Sequence, residues 1–364
     1  MKSSKLIVVL GMHRSGTSAI TRGLQVLGVE LGDNLLPPRK GDNDKGYWED
    51  IDLNALNIEM LIAIESGWDY VSPINEEDVN LLQQQGYFAR ATELLKRKMG
   101  LAGNFGFKDP RVAKLLPFWK EVFSYCQLDV RYIIALRNPL SVVKSLAKRD
   151  NLEEAQSYYL WISYVITSLT HSANEKRALI DYDRLMRSPD IELKRIAKCT
   201  DLEINQVELE NYKNYFLDLT LQHTVFNCND LLLDELCPAI VSDVYTTLLD
   251  VATENKKIDD GYLKDKIERW LSTFEELKSS LKMIDLEKKS NVQKSLIKKQ
   301  QTEYIERTEW AQALEKELKE SQSLIKKQQT EYIERTEWAL SLDAIVKQRD
   351  ELIHDLQREL SKQK

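Results

Sequence analysis

Residues 6–10 (LIVVL) form an unbroken apolar run, and three further short runs share its β-branched and aromatic character: 105–108 (FGFK), 131–136 (RYIIAL) and 177–181 (RALID). Strands that are continuously apolar, rather than alternating, belong to parallel sheets covered on both faces. Between these runs lie longer stretches with apolar residues three and four apart, over residues 17–27, 140–149, 156–172 and 190–200, the period of amphipathic helices. The alternation predicts an α/β fold, a parallel sheet flanked by helices. Residues 202–261 divide less clearly and read as mostly helix.

The pattern changes at the C-terminus. All 13 glycines and 8 prolines lie at or before Gly261, so residues 262–364 carry no helix breaker of either kind and favour continuous helix. Within this stretch the string SLIKKQQTEYIERTEWA occurs twice without change, at 295–311 and 323–339, offset by 28 residues or four heptads. Steps of seven from Ile297 land on Tyr304, Ala311, Leu318, Ile325, Tyr332, Ala339, Val346, Ile353 and Leu360, all apolar or aromatic. The second core position, three residues later, is mostly polar: Gln300, Arg307, Ser321, Gln328, Arg335 and Arg349 against Leu314, Leu342 and Leu356. This predicts a weak or oligomer-specific coiled coil, with a solvated single helix laced by charge pairs as the alternative. The expected division is an α/β domain over residues 1–285 and a coiled-coil stalk over 286–364.

Charge locates the acidity and limits the partners. The stalk has 16 basic and 15 acidic residues, which leaves 35 against 43 in the α/β part and −7 for the whole chain. No global positive field draws the protein to nucleic acid or anionic lipid, so any anionic ligand has to be held locally. The four cysteines (Cys126, Cys199, Cys228, Cys237) form no metal-type spacing and read as reduced core thiols. His13 and Arg14 follow the first apolar run where a signal peptide needs small residues, and no run approaches the roughly 20 apolar residues of a membrane span. The expectation is a cytoplasmic protein, peripheral to a membrane where its substrate is.

After the first strand comes Gly11-Met-His-Arg-Ser-Gly-Thr-Ser18 and then a helical pattern. The spacing is that of the phosphate-binding loop GxxxxGK[ST], whose backbone N–H groups and helix start cradle phosphate oxygens. Thr17 stands where that loop carries the lysine for the β- and γ-phosphates, which counts against ATP chemistry. Arg14, inside the loop, offers planar donors suited to a phosphate or sulfate tetrahedron. His13 beside it reads as a packing or orienting residue.

HRSGTS resembles the 5′-phosphosulfate loop of sulfotransferases that use 3′-phosphoadenosine 5′-phosphosulfate (PAPS), which implies Arg14, Ser15, Gly16, Thr17 and Ser18 as its cofactor-binding residues. Strand 131–136 runs into Arg137, Pro139 and Ser145, similar in order and spacing to the family's 3′-phosphate motif; ligands of open α/β sheets bind at such carboxyl ends. The stretch 179–202 resembles the family's strand, tyrosine and helix, placing Tyr182 near the adenine. GFKDPRVAKLLPFW resembles the segment facing the sulfate, with Lys108 over the transferring group; positive side chains there stabilise the transition state without a metal. No metal cluster is legible. Glu49, after a loop at 37–46 that forms a candidate acceptor mouth, is the base the resemblance favours, with Asp50, Asp52 and Asp109 as rivals. Tyr47 and Trp48 are either sugar-stacking platforms or ordinary loop packing.

The resemblance spans residues 5–205 and implies sulfuryl transfer to a hydroxyl or amine, with a glycan or glycolipid as acceptor; it does not reach the coil, whose seam by itself predicts self-association or a partner protein. The alternatives are a small-molecule P-loop kinase and a non-catalytic nucleotide-binding scaffold.

Overall fold

The computed structural model describes residues 4–218, 220 and 225–362 and divides into two units, Met1–Leu286 and Glu287–Lys364. Residues 1–3 and 363–364 of the expected domain ends, and 219 and 221–224 within the stretch read as mostly helix, lie outside the described residues.

In chain order the first unit contains β1 (Lys5–Leu10), α1 (Thr17–Leu24), α2 (Ile51–Ala63), α3 (Glu76–Gln84), α4 (Tyr87–Leu101), β2 (Phe105–Lys108), α5 (Pro110–Lys114), α6 (Leu116–Tyr125) and β3 (Asp129–Leu136). There follow α7 (Pro139–Asp150), α8 (Glu154–His171), β4 (Lys176–Asp181), α9 (Tyr182–Arg187), α10 (Pro189–Thr200), α11 (Gln206–Asn211), α12 (Cys228–Leu232) and α13 (Ala239–Ala252). The last helix, α14 (Gly261–Lys362), begins here.

The four predicted strands pair in parallel in the order β2-β1-β3-β4. Both faces are covered, as their unbroken apolar character requires. Leu6, Val8 and Leu10 of β1 point into one core with Phe107, Tyr132 and Ile134 and the helices above them. Ile7 and Val9 point into a second, smaller core with Ile20 of α1 and Leu193 and Ile196 of α10. The chain leaves β1 for β2 on one side and later pairs β3 on the other, so β1 lies where the strand order reverses, the place at which open α/β sheets form their crevice.

Helix starts carry local signals. Asp50 caps α2 by accepting from the Asp52 and Leu53 N–H groups, Asp109 caps α5 ahead of Pro110, and Asn138 caps α7 ahead of Pro139. The helix expected over 17–27 stops at Leu24 and continues as a 3₁₀ turn, Gln25–Leu27, into the left-handed Gly28. Within the first unit α14 buries Leu263, Trp270, Phe274 and Leu281 along one face, and the Asp285 carboxylate accepts from the backbone N–H groups of Val71 (2.8 Å) and Ser72 (2.9 Å).

The second unit is helix up to Lys362, and residues 291–361 are all exposed, the seam residues included. Among the described residues no helix is long and apolar enough to cross a membrane. The cysteines are free thiols and half-buried, so they line the core rather than fill it.

Candidate active site

All four sequence segments that carry candidate chemistry leave the carboxyl edge of the same sheet. Val9 of β1 is in register with Lys108 at the end of β2, Leu10 with Ile134 of β3, and Leu136 of β3 with Asp181 of β4. One residue beyond those ends stand Gly11, Asp109, Arg137 and Tyr182. Residues more than 160 positions apart are thereby gathered on one crevice.

The β1–α1 loop is shaped by two glycines. Gly11 has φ +152°, and a Cβ there would stand 2.9 Å from the Ala135 Cβ, so the loop lies tight against β3. Gly16 is left-handed at φ +81°, and a Cβ there would sit 2.0 Å from the Tyr182 ring. No side chain caps α1, which leaves the loop's turn and the helix start as an anion-directed end. Ser15 and Thr17 are buried in that turn.

Arg14 links the predicted residues. Its Nε donates to Ser145 Oγ (2.8 Å), its Nη1 donates to the Asp42 Oδ1 (3.0 Å) and to the Asp42 carbonyl (3.1 Å), and its own carbonyl accepts from Arg137 Nη1 (2.7 Å). Ser145 is therefore joined to Arg137 through Arg14. Arg137 lies over the Tyr182 ring at 4.7 Å, so Tyr182 is held between a guanidinium and the glycine of the loop. Burial pulls both guanidinium groups below their ordinary range, and at Arg14 the neighbouring Arg149 and Arg137 add to this while Asp42 opposes it. A mutually repelling set of cations, Arg137 buried and Arg14 and Arg149 half-buried, is suited to a multiply charged anion.

Lys108 and Glu49 form a second centre. Lys108 Nζ donates to Glu49 Oε1 (2.6 Å) and to Ser18 Oγ (3.3 Å), and Asn54 Nδ2 donates to Glu49 Oε2 (2.8 Å). Both charged residues are buried. Burial raises the Glu49 carboxyl above its ordinary range, against the pull of Lys108 and with the help of Asp109. Of the rival carboxylates, Asp50 and Asp52 pair with the buried Lys98 (2.7 and 2.9 Å), and Asp109 accepts from Arg111 Nη1 (3.0 Å) and Asn57 Nδ2 (3.0 Å). Glu49 alone among them pairs with Lys108.

Of the two aromatics expected at the mouth, Trp48 packs edge-on against Phe216 with Arg22 at 5.6 Å, the packing alternative, while the Tyr47 hydroxyl donates to Asp42 Oδ2 (2.6 Å). His13 lies against Trp68 with ring centroids 4.5 Å apart; burial, then Arg111, Arg149, Lys108 and Arg14, hold it well below its ordinary range and therefore neutral. Sequence reasoning missed Asp42, Asn43, Asn54 and Arg149, which no local motif marks. Only the loop's Asp and Asn content hinted at the first two. Among the described residues no group of three or more His, Cys, Asp or Glu is arranged to hold a metal ion.

No family model matches the chain. A Caenorhabditis briggsae protein named as a protein-tyrosine sulfotransferase is 21% identical over 216 residues, which cover 56% of this chain and 73% of that protein. Two solved structures are similar in part. The sulfotransferase domain of the Synechococcus PCC 7002 olefin synthase is 15% identical with a TM-score of 0.36, covering 75% of this chain and 96% of that domain. The sulfotransferase domain from the curacin biosynthetic pathway is 14% identical with a TM-score of 0.37, covering 76% and 99%.

Proposed function

We infer that this chain is a sulfotransferase that transfers a sulfuryl group from PAPS to a hydroxyl or amine of an acceptor, a reading supported by its 21% identity to the C. briggsae protein. The observation that carries the reading is the convergence of the Gly11–Ser18 loop, Lys108, Arg137 and Tyr182 at one edge of the sheet. On this reading Arg14, Ser15, Gly16, Thr17 and Ser18 hold the 5′-phosphosulfate, and Arg137 and Ser145 hold the 3′-phosphate beside Tyr182. A new acceptor O–S (or N–S) bond forms as the bond from sulfur to the phosphate oxygen breaks. The negative charge that grows on that departing oxygen is met by Lys108, and the acceptor proton passes to Glu49. Adenosine 3′,5′-bisphosphate leaves.

The raised proton affinity of the buried Glu49 carboxylate suits this role, because a base works best when its pKa approaches the operating pH. The acceptor we place first is a saccharide or glycolipid, reached from the cytoplasm or the membrane surface. The name of the C. briggsae relative sets a tyrosyl hydroxyl beside it as the competing class, and sulfate transfer onto glycans against tyrosine peptides separates the two. We also propose that the exposed seam of the second unit pairs helices, either of two copies or with a partner protein.

The test is a thermal-shift titration with adenosine 3′,5′-bisphosphate and, separately, ATP, each with and without Mg²⁺. A ligand at 100 times its Kd adds about 2.7 kcal/mol to stability. Stabilisation by the bisphosphate without metal is expected. Stabilisation by ATP with Mg²⁺ alone would show that Thr17 has been misread and that the kinase alternative leads.

A further inference from the structure

The loop between the first 3₁₀ turn and α2 does more than border the crevice. Every polar contact it makes with the β1–α1 loop is to a group an incoming anion would use. Arg14 Nη1 is engaged twice by Asp42, through a carboxylate oxygen and the carbonyl, and Arg149 Nη1 lies 3.9 Å from the same carboxylate. Asn43 Nδ2 donates to Ser18 Oγ (3.0 Å), which in turn donates to the Tyr47 carbonyl (3.1 Å). Tyr47 secures the second Asp42 oxygen. A carboxylate is thus held against the loop's one guanidinium by the loop's own hydroxyl partners.

We propose that Asp42 is an internal counter-anion on Arg14, holding the guanidinium that an anionic group of the cosubstrate would take, and that residues 39–47 swing away as the cosubstrate binds, making this loop a gate. The proposal rests on the sulfuryl-transfer reading for the identity of the anion.

Electrostatics requires the displacement. With Asp42 in place, a phosphate or sulfate oxygen on Arg14 would face a like charge across the same guanidinium and be repelled by it. With Asp42 gone, Arg14 is left beside Arg149 and Arg137 and gains from any anion. The loop is built to move as a body. Its tip carries its own hydrogen bonds, Asp42 N and Asn43 N to the Arg39 carbonyl, Arg39 N to the Asn43 carbonyl and Gly46 N to the Asn43 carbonyl. Its feet are fixed, with Leu36 N donating to the Glu49 carbonyl (2.8 Å) and Ile51 N to the Asn34 carbonyl (2.9 Å). Left-handed residues stand between tip and rear foot, at Gly46 (φ 95°) and Trp48 (φ 58°). The rear foot is Glu49 itself, so opening of the gate reaches the residue that takes the acceptor proton.

The experiment is calorimetric titration of the full chain with adenosine 3′,5′-bisphosphate, for the wild type, Asp42→Asn and Tyr47→Phe. The exposed Lys40 bond serves as a reporter of opening through tryptic cleavage. Asp42→Asn is expected to bind about tenfold tighter, because no competing carboxylate has to be displaced, and Tyr47→Phe tighter by a smaller factor. Saturating bisphosphate is expected to speed cleavage after Lys40 in the wild type. If the wild type binds and Asp42→Asn binds equally or more weakly, Asp42 orients Arg14 instead of blocking it, and the gate is overturned while the sulfotransferase reading stands. If the wild type does not bind the bisphosphate, that reading fails and the gate fails with it.

Discussion

At the scale of single residues, Glu49 and Asp181 are two carboxyls that burial pushes above the ordinary carboxylate range, with different consequences. If Glu49 accepts the acceptor proton, turnover should rise with pH through a value above the ordinary carboxylate range, since the group must be ionised to work. Glu49→Gln should remove that limb and lower kcat by about a hundredfold or more, leaving bisphosphate affinity within a fewfold; equal kcat in the two proteins would transfer the role elsewhere. Asp181 is raised to about 6, chiefly by burial, with Asp183 and Glu192 acting in the same direction and the Arg184 N–H opposing them. The folded state therefore keeps a proton that the unfolded chain has released near pH 3.8. Stability contributed by this group is present below pH 3.8, falls as pH rises to about 6 and is flat above it. The gap corresponds to about 3 kcal/mol at 1.36 kcal/mol per pH unit. Asp181→Asn keeps the α9 cap and should flatten that part of the denaturation profile between pH 4 and 6. Gly16→Ala places a methyl group inside the Tyr182 ring at a left-handed φ. It should cost about 1–3 kcal/mol by denaturant titration and weaken bisphosphate binding as the ring yields.

At the scale of elements, the boundary of the first unit has a physical cause. The heptad pattern leads to an expected division after residue 285; in the structure Asp285 is still tied to the first unit, its carboxylate receiving the Val71 and Ser72 N–H groups. A chain cut after 286 should melt cooperatively and bind bisphosphate like the full chain. One cut after 260 loses the buried Leu263, Trp270, Phe274 and Leu281 and should lose its near-ultraviolet dichroism; equal stability of the two pieces would make the first turns of α14 dispensable. The strands were legible because burial on both faces leaves a continuous apolar run, a signal of four to six residues. The helices α2 to α6 were not named in advance. In α2 the apolar residues lie on several faces, so it shows no clean stripe, whereas α3 and α4 do carry an apolar stripe on otherwise polar helices and sequence reading passed over it. The same contrast governs the site. Arg14, Lys108 and Arg137 lie in short motifs beside strands, whereas Asp42 and Arg149 come to Arg14 only through the fold, from positions 28 and 135 residues along the chain.

At the scale of the whole molecule, the second unit carries a seven-residue sequence repeat that a straight helix would not bring onto one face. An ideal α-helix drifts by about 20° per heptad against a strict seven-residue repeat. From Ile297 to Leu360 the seam keeps that repeat through nine heptads, so on a straight helix it would wind about 180° around the surface and face no single direction. A left-handed supercoil with a partner removes the drift and turns ten exposed residues into one line. The duplication fits this requirement, because an offset of 28 residues preserves a seven-residue register while a straight helix would rotate the second copy by about 80°. The polar second position then sets the strength: Gln300, Arg307, Gln328 and Arg335 leave the apolar contact to one side of each layer, and pairing should be concentration-dependent. Sedimentation equilibrium is expected to give at least twice 42.3 kDa at tens of micromolar, with mass falling on dilution, and a single mass for the chain cut after 286. Ile325→Asp with Ile353→Asp places charges on the seam and should return the full chain to 42.3 kDa while bisphosphate binding is kept. A monomer throughout that concentration range would leave the seam to a different protein.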